Sequence, residues 1–410
     1  MTTLTKTSTS SFLSRPVLNK VPEVTIYFWI IKILCTTVGE SAADFLNVNL
    51  GWGLTGTSIA TGLVLAIVLA TQVLLRRYLP AVYWLTVMLV SVFGTLVTDN
   101  LTDNLGVPLQ ASTIVFSVLL ALVFIAWYLS EKTLSIHSIL TRRREMFYWL
   151  TIFVTFALGT AVGDLVSEGL GVGYLRTGLL MGALIALVTL GWRLGLNAIL
   201  AFWIAYILTR PLGASIGDLM AQTPDNGGLG LGTTTTSLIL LALIIGIITY
   251  LSIRKPDVIP AGEAVETEAA PGTGSHSALI QTVAVVAAFI VFGGAFYAWR
   301  ASVLNSEASA AISEISATGS PLGDVSEFVT ISQDSLNLLN AGDQSGATTR
   351  IADLETAWDK SAALLKRANP DEWTLVDGAI DKVLRELRAT SPVTATEVTA
   401  LQALLGQLGQ

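Results

Sequence analysis

The chain has 410 residues, of which 52% are hydrophobic and 13% charged, with a net charge of −7. This composition excludes an ordinary water-soluble domain and places the chain in the membrane class. The lone Cys35 excludes an intrachain disulfide, and the distant His137 and His276 make neither a haem nor a zinc site.

Met1 to Pro22 is Ser/Thr-rich, with Lys6, Arg15 and Lys20. It lacks the apolar core and cleavage site of a signal peptide and reads as a cytoplasmic tail, 1–22. Residues 23–255 then repeat one pattern four times. Trp29 is followed by Gly39 and Asp44, Trp84 by Gly94 and Asp99, Trp149 by Gly159 and Asp164, and Trp203 by Gly213 and Asp218, at constant spacing. An aromatic residue (Phe28, Tyr83, Tyr148, Phe202) precedes each tryptophan. Each copy holds an apolar run, a glycine-bearing break and a second run, so the unit is a pair of membrane helices. Runs at 23–46, 55–75, 81–101, 111–130, 146–165, 171–192, 197–220 and 233–253 are long enough to cross a bilayer.

Residues 256–278 are rich in Pro, Gly, Ala and acids and read as a linker. A ninth apolar run, 279–299, lacks the motif and reads as an anchor. Residues 300–410 change character: apolar residues at helical spacing, with breaks at 319–323, 340–346 and 391–394, predict a small helical bundle. With 15 acids against 7 bases over 301–410, the bundle is a poor ligand for nucleic acid. The predicted fold is all-α: a polytopic membrane protein of four parallel two-helix repeats, a ninth span and a C-terminal bundle.

Basic residues gather on alternate connections, 12 on one side against Arg176 alone on the other. The positive-inside rule puts the N-terminus in the cytoplasm and the bundle outside. Parallel repeats align the four aspartates at one depth, in a fourfold ring or as two packed pairs.

Ionisable groups inside spans are costly and point to function. Lys32, Glu40, Asp44, Asp99, Asp164, Arg210 and Asp218 sum to five acids and two bases. A converging cluster of that charge would bind protons or cations. Glu40, Asp44, Asp99, Asp164 and Asp218 are the ion-binding candidates, and Lys32 and Arg210 their counter-charges. A structural reading competes. The aspartates would brace each hairpin by accepting backbone N–H groups, the glycines would admit close helix contact, and the tryptophans would anchor at the lipid interface. Three positions break the repeat. Lys32 aligns with Val87, Ile152 and Tyr206; Glu40 with Thr95, Thr160 and Ala214; Arg210 with Thr36, Ser91 and Phe156. Charges that other copies lack are not architectural needs, which singles out Glu40. Asp103, Glu168 and Arg176 fall at the outer mouth.

No phosphate loop, dinucleotide fingerprint, HExxH or nucleophile elbow is present, so neither an enzyme nor a cofactor is expected. The W-x9-G-x4-D repeats and the opening KVPEVTIYFWIIKILCTTVGESAADFL resemble a family of bacterial membrane-anchored proteins with four tandem two-helix repeats of unknown function. The resemblance covers about residues 20–255. It implies a hairpin-repeat fold in the bacterial inner membrane, and supplies no substrate. The leading expectation is a secondary transporter or channel-like exporter of a small hard cation, a divalent metal or a proton-coupled ion. The alternative is a membrane sensor or scaffold acting through its external bundle. Expected partners are the bilayer, a cation or proton and, as an option, further copies of the chain.

Overall fold

The computed structural model describes residues 20–49, 52–75, 77–222, 228–257, 275–318, 322–389 and 391–409. Most of the tail (1–19) and of the linker (258–274) lies outside the described residues. Among the described residues all regular structure is helical, and nine helices are long and apolar enough to cross a membrane. Helices are forced by the medium, because lipid offers no partner for an open backbone group.

Four helices form the inner ring: α1 (Ile26–Asp44), α3 (Pro80–Asp99), α5 (Arg142–Asp164) and α7 (Ala198–Ala221). Their starts are set locally. Thr25, Thr141 and Asn197 accept backbone N–H groups as N-caps, and Pro80 occupies the first turn of α3. Helix α1 touches α3, α3 touches α5, α5 touches α7, and α7 returns to α1. The outer helices are α2 (Gly53–Leu74), α4 (Leu109–Glu131), α6 (Tyr174–Arg193) and α8 (Gly232–Arg254). Burial separates the two sets: 61–72% of each inner span is buried, against 11–22% of each outer one.

The two helices of one repeat are not each other's main neighbour. Helix α2 lies on α3, α4 on α5, α6 on α7, and α8 closes the circle on α1. Each repeat therefore lends its second helix to the next, which locks the ring in register. The connection begins with a π-helical turn directly after three of the repeat aspartates: Phe45–Asn49, Asn100–Asn104 and Leu165–Gly169. Such turns widen the helix and often mark functional positions.

Helix α9 (Ser275–Thr318) runs unbroken from the ninth span into the C-terminal domain, so the sequence boundary at 299 is not a helix end. Helices α10 (Ser326–Asn340), α11 (Gln344–Ala368), α12 (Pro370–Leu387) and α13 (Thr394–Gln407) build the bundle around Leu354, Trp358, Val376 and Leu401. The bundle sits on the aspartate end of the membrane domain. There α11 touches the turn Leu165–Gly169, and α12 touches Phe45–Asn49. At the opposite, basic end, buried polar ties close the ring. Lys20 donates to Glu145 at 2.5 Å and to the Val73 carbonyl at 3.0 Å, and Tyr78 donates to Asp257 at 2.5 Å.

Candidate functional site

Three layers stack along the axis of the inner ring, each built by handing a contact from one repeat to the next. The first, at the basic end, is aromatic. Phe28 meets Trp84, Tyr83 meets Trp149, Tyr148 meets Trp203, and Phe202 meets Trp29, with ring centroids 5.5, 5.5, 6.5 and 5.6 Å apart. Trp84, Trp149 and Trp203 are 1–4% exposed. These three repeat tryptophans are thus core residues and not the lipid-interface anchors expected from the sequence, while Trp29 is half-buried against the same cluster. Helix-end tryptophans suit both environments, and only their rotational setting separates the two. The Tyr83 and Tyr148 hydroxyls are hydrogen-bonded to each other within this layer, and both side chains are fully buried.

The second layer carries the charges. Arg210 of α7 is fully buried and donates through Nη2 to Glu40 Oε2 at 2.6 Å, to Thr160 Oγ1 at 2.8 Å, and to Thr95 Oγ1. Glu40, Thr95 and Thr160 are the equivalent residues of three repeats, so the ring itself converges them on one guanidinium. Arg210 Nε and Nη1 have no partner among the described residues. Below this layer Lys32, also fully buried, donates to Thr209 Oγ1 at 2.6 Å and sits 4.0 Å from the Tyr206 ring centroid. No described carboxylate pairs with it. The net −3 cluster inferred from the sequence is thus divided, with one tight ion pair, one lone cation and the aspartates elsewhere.

Repeat glycines make this closeness possible. A Cβ on Gly39 would overlap Ser91, on Gly94 Phe156, on Gly159 Arg210, and on Gly213 Thr36. The residue touched is the equivalent one in the adjoining repeat every time. Close helix contact is therefore what these glycines provide.

The third layer is the aspartate ring. Asp44, Asp99, Asp164 and Asp218 are all partly exposed, and none has a hydrogen bond or ion pair among the described residues. Among the described residues the hairpin brace considered from the sequence is not seen; residues 50–51 and 223–227, in the breaks after Asp44 and Asp218, lie outside them. Each aspartate lies within electrostatic reach of Glu40 and of its neighbours around the ring, Asp44 to Asp99 to Asp164 to Asp218. One turn further out are Asp103 and Glu168, where Lys366 of α11 supplies the opposing charge. Glu355 and Asp377, from α11 and α12, add acids to the same vestibule. Outside the membrane, burial and the nearby Asp381 push the Asp377 carboxyl up to about 7, although it accepts from Trp358 Nε1 at 2.7 Å. Chemically, this is a concentration of partly exposed acids one turn from a buried Glu–Arg pair.

The donor set bears on metals. Among the described residues, no three His, Cys, Asp or Glu side chains come together to hold a metal ion. A preassembled divalent centre of the protein's own carboxylates is therefore not what the ring presents.

The sequence reading passed over one repeated feature. Thr57, Ser112, Thr177 and Thr236, one on each outer helix, are 0–2% exposed, and their hydroxyls have no partner among the described residues. Each stands six positions after a glycine, at Gly51, Gly106, Gly171 and Gly230. That second register, Leu-Gly-x-Gly/Pro-x3-Thr/Ser, was available as a signal.

The repeat architecture has a counterpart among known families. The family described as Repeat of Unknown Function (DUF347) matches residues 27–78, 82–133, 147–194 and 201–256, just over half of the chain. No curated protein and no solved structure matches it. Four family matches, falling on the four helix pairs that close the ring, assign this integral membrane protein to the DUF347 repeat family.

Proposed function

We propose that the protein is a secondary transporter or channel-like exporter of a small hard cation, with Glu40 as the ion- or proton-exchanging carboxylate. The observation that carries this reading is the aspartate ring: four partly exposed carboxylates at one depth, without partners among the described residues, above a buried Glu40. Unpaired carboxylates at the end of a membrane ring attract cations and repel anions. The Arg210–Glu40 pair would then be the gate. A cation arriving at Glu40 replaces Arg210, whose Nε and Nη1 have bonds to gain elsewhere. Oxygen-only ligands suit hard ions. The aromatic layer closes the path on its other side, so conduction requires the ring to rearrange there, as alternating access demands.

We place the protein in the bacterial inner membrane with the basic end in the cytoplasm, following the charge bias of its loops. The bundle then covers the external mouth. We read no enzymatic step and no cofactor into the fold.

The test is flux into proteoliposomes of the purified chain, for Mn2+, Mg2+, Ca2+, Na+ and K+, with and without a pH gradient. Flux that needs the protein and collapses in Glu40→Gln is expected. Folded protein that moves none of these ions would transfer the function to the external bundle as a sensor or scaffold.

A further inference from the structure

The four unpartnered hydroxyls carry a proposal of their own. A helical Ser or Thr ordinarily donates to the carbonyl one turn earlier, as Ser58 does to Leu54, Thr71 to Ile67, Thr98 to Gly94 and Thr249 to Ile245; Ser91 and Thr151 depart from this singly, with no equivalent in the other repeats that does the same. Thr57, Ser112, Thr177 and Thr236 break the rule in all four repeats while nearly fully buried. A buried hydroxyl left without a partner costs about 1–3 kcal/mol. Four equivalent sites carrying that cost indicate oxygens held open for something absent from the protein's own bonding.

Their depth is fixed by the residue that follows each one. Ser58 accepts from Asn100 Nδ2, which also donates to the Leu96 carbonyl; Thr113 donates to the Ala161 carbonyl; Gly178 faces Ser215; Ser237 donates to Ser41 Oγ. Leu96, Ala161, Ser215 and Ser41 each stand three positions before a repeat aspartate. The hydroxyls therefore lie against the inner ring within about one turn of Asp99, Asp164, Asp218 and Asp44. In that zone each repeat presents two kinds of oxygen without a partner among the described residues, one charged and partly exposed, the other neutral and buried.

We propose that these pairs, Thr57 with Asp99, Ser112 with Asp164, Thr177 with Asp218 and Thr236 with Asp44, form four equivalent sites for a hard monovalent cation such as Na+. The charge selects the class. One carboxylate per site balances one positive charge, whereas a divalent ion needs more carboxylates than converge here. A hydroxyl supplies a neutral oxygen, and water reaching the partly exposed aspartate completes the shell. The outer helix of one repeat and the inner helix of the next thus share each ion, which would make cation binding a clamp on the handover between repeats. The proposal deepens the transport reading by naming the ion class at the mouth.

The experiment is thermal unfolding of the full chain in detergent, titrated with NaCl at constant ionic strength set by N-methylglucamine chloride. Wild type is expected to show a saturable rise in Tm with Na+. The single variant Thr177→Val should lose part of the amplitude. The combined T57V/S112A/T177V/T236V protein should need at least about tenfold more Na+, the cost of one hydrogen-bonding oxygen to a charge. Equilibrium dialysis with radioactive sodium should give four ions per chain, falling by one with each single change. The idea is overturned if wild type responds alike to both salts, or if the folded combined variant keeps the wild-type sodium response. A sodium response without flux would sink transport and leave these sites standing. Flux of any ion with an unchanged half-saturation in the combined variant would do the reverse.

Discussion

At Arg210 the repeat is broken for a physical reason. Its equivalents Thr36, Ser91 and Phe156 fill the space beside the neighbouring glycine, while Arg210 passes Gly159 and reaches the axis. There a single nitrogen serves Glu40, Thr95 and Thr160. Removing one member of a buried ion pair strands the other, at about 3–5 kcal/mol. Arg210→Met should therefore lower the thermal midpoint sharply, and adding Glu40→Gln should recover part of the loss, as thermal denaturation of the three variants would reveal. A second residue sets a pH dependence. The folded Asp377 carboxyl titrates at about 7, above the roughly 3.9 of an unfolded aspartate. Between those values the folded bundle holds more protons, so its stability falls as pH rises through that window. Denaturation followed by the fluorescence of Trp358, bonded to Asp377, should show this slope, and Asp377→Asn should flatten it.

At the scale of elements, the ring depends on inner helices that nearly touch. Gly39→Ala forces a methyl group into Ser91 and should destabilise by about 1–3 kcal/mol, the usual result of overpacking. Gly182→Ala on α6 meets open space and should be neutral or stabilise by up to ~1 kcal/mol through helix propensity. Comparing the two midpoints separates close contact from a general dislike of alanine. The segment before α1 acts similarly at the basic end. Glu145 is fully buried, and its ion-pair partner is Lys20. Lys20→Met should lower the midpoint far more than a surface ion pair would, whose usual worth is about 0–1 kcal/mol.

For the whole molecule, the bundle and the basic loops occupy opposite ends of the ring. Thr396 and Arg193 are exposed at these ends. Cysteines placed at Thr396 and at Arg193 should therefore react from opposite faces of the membrane. A membrane-impermeant maleimide applied to intact cells should label Thr396→Cys, and Arg193→Cys only after lysis; the native Cys35 is buried and adds little background. The reverse pattern would invert the proposed orientation. The bundle also changes the electrical setting of the mouth, because Lys366 is the cation it brings toward Asp103 and Glu168. Neutralising it with Lys366→Gln should raise cation affinity at the mouth, read as a lower half-saturation in flux.

The sequence by itself determined the class, the number of spans, the fourfold register and the common depth of the aspartates. Those follow from length, hydropathy and spacing, which act along the chain. It also marked Lys32, Glu40 and Arg210 as the exceptions worth following. Only the tertiary structure decided which helix each residue meets. Lipid and protein interior are equally apolar, so hydropathy cannot say whether Trp84 faces one or the other. Nor can it say that α2 packs on α3 in preference to its own hairpin partner. Glu40 and Arg210 are 170 positions apart, and their pairing arises because four inner helices close a ring. The four aspartates come together at one end of the ring for the same reason, since the inner helices meet in register at their glycines.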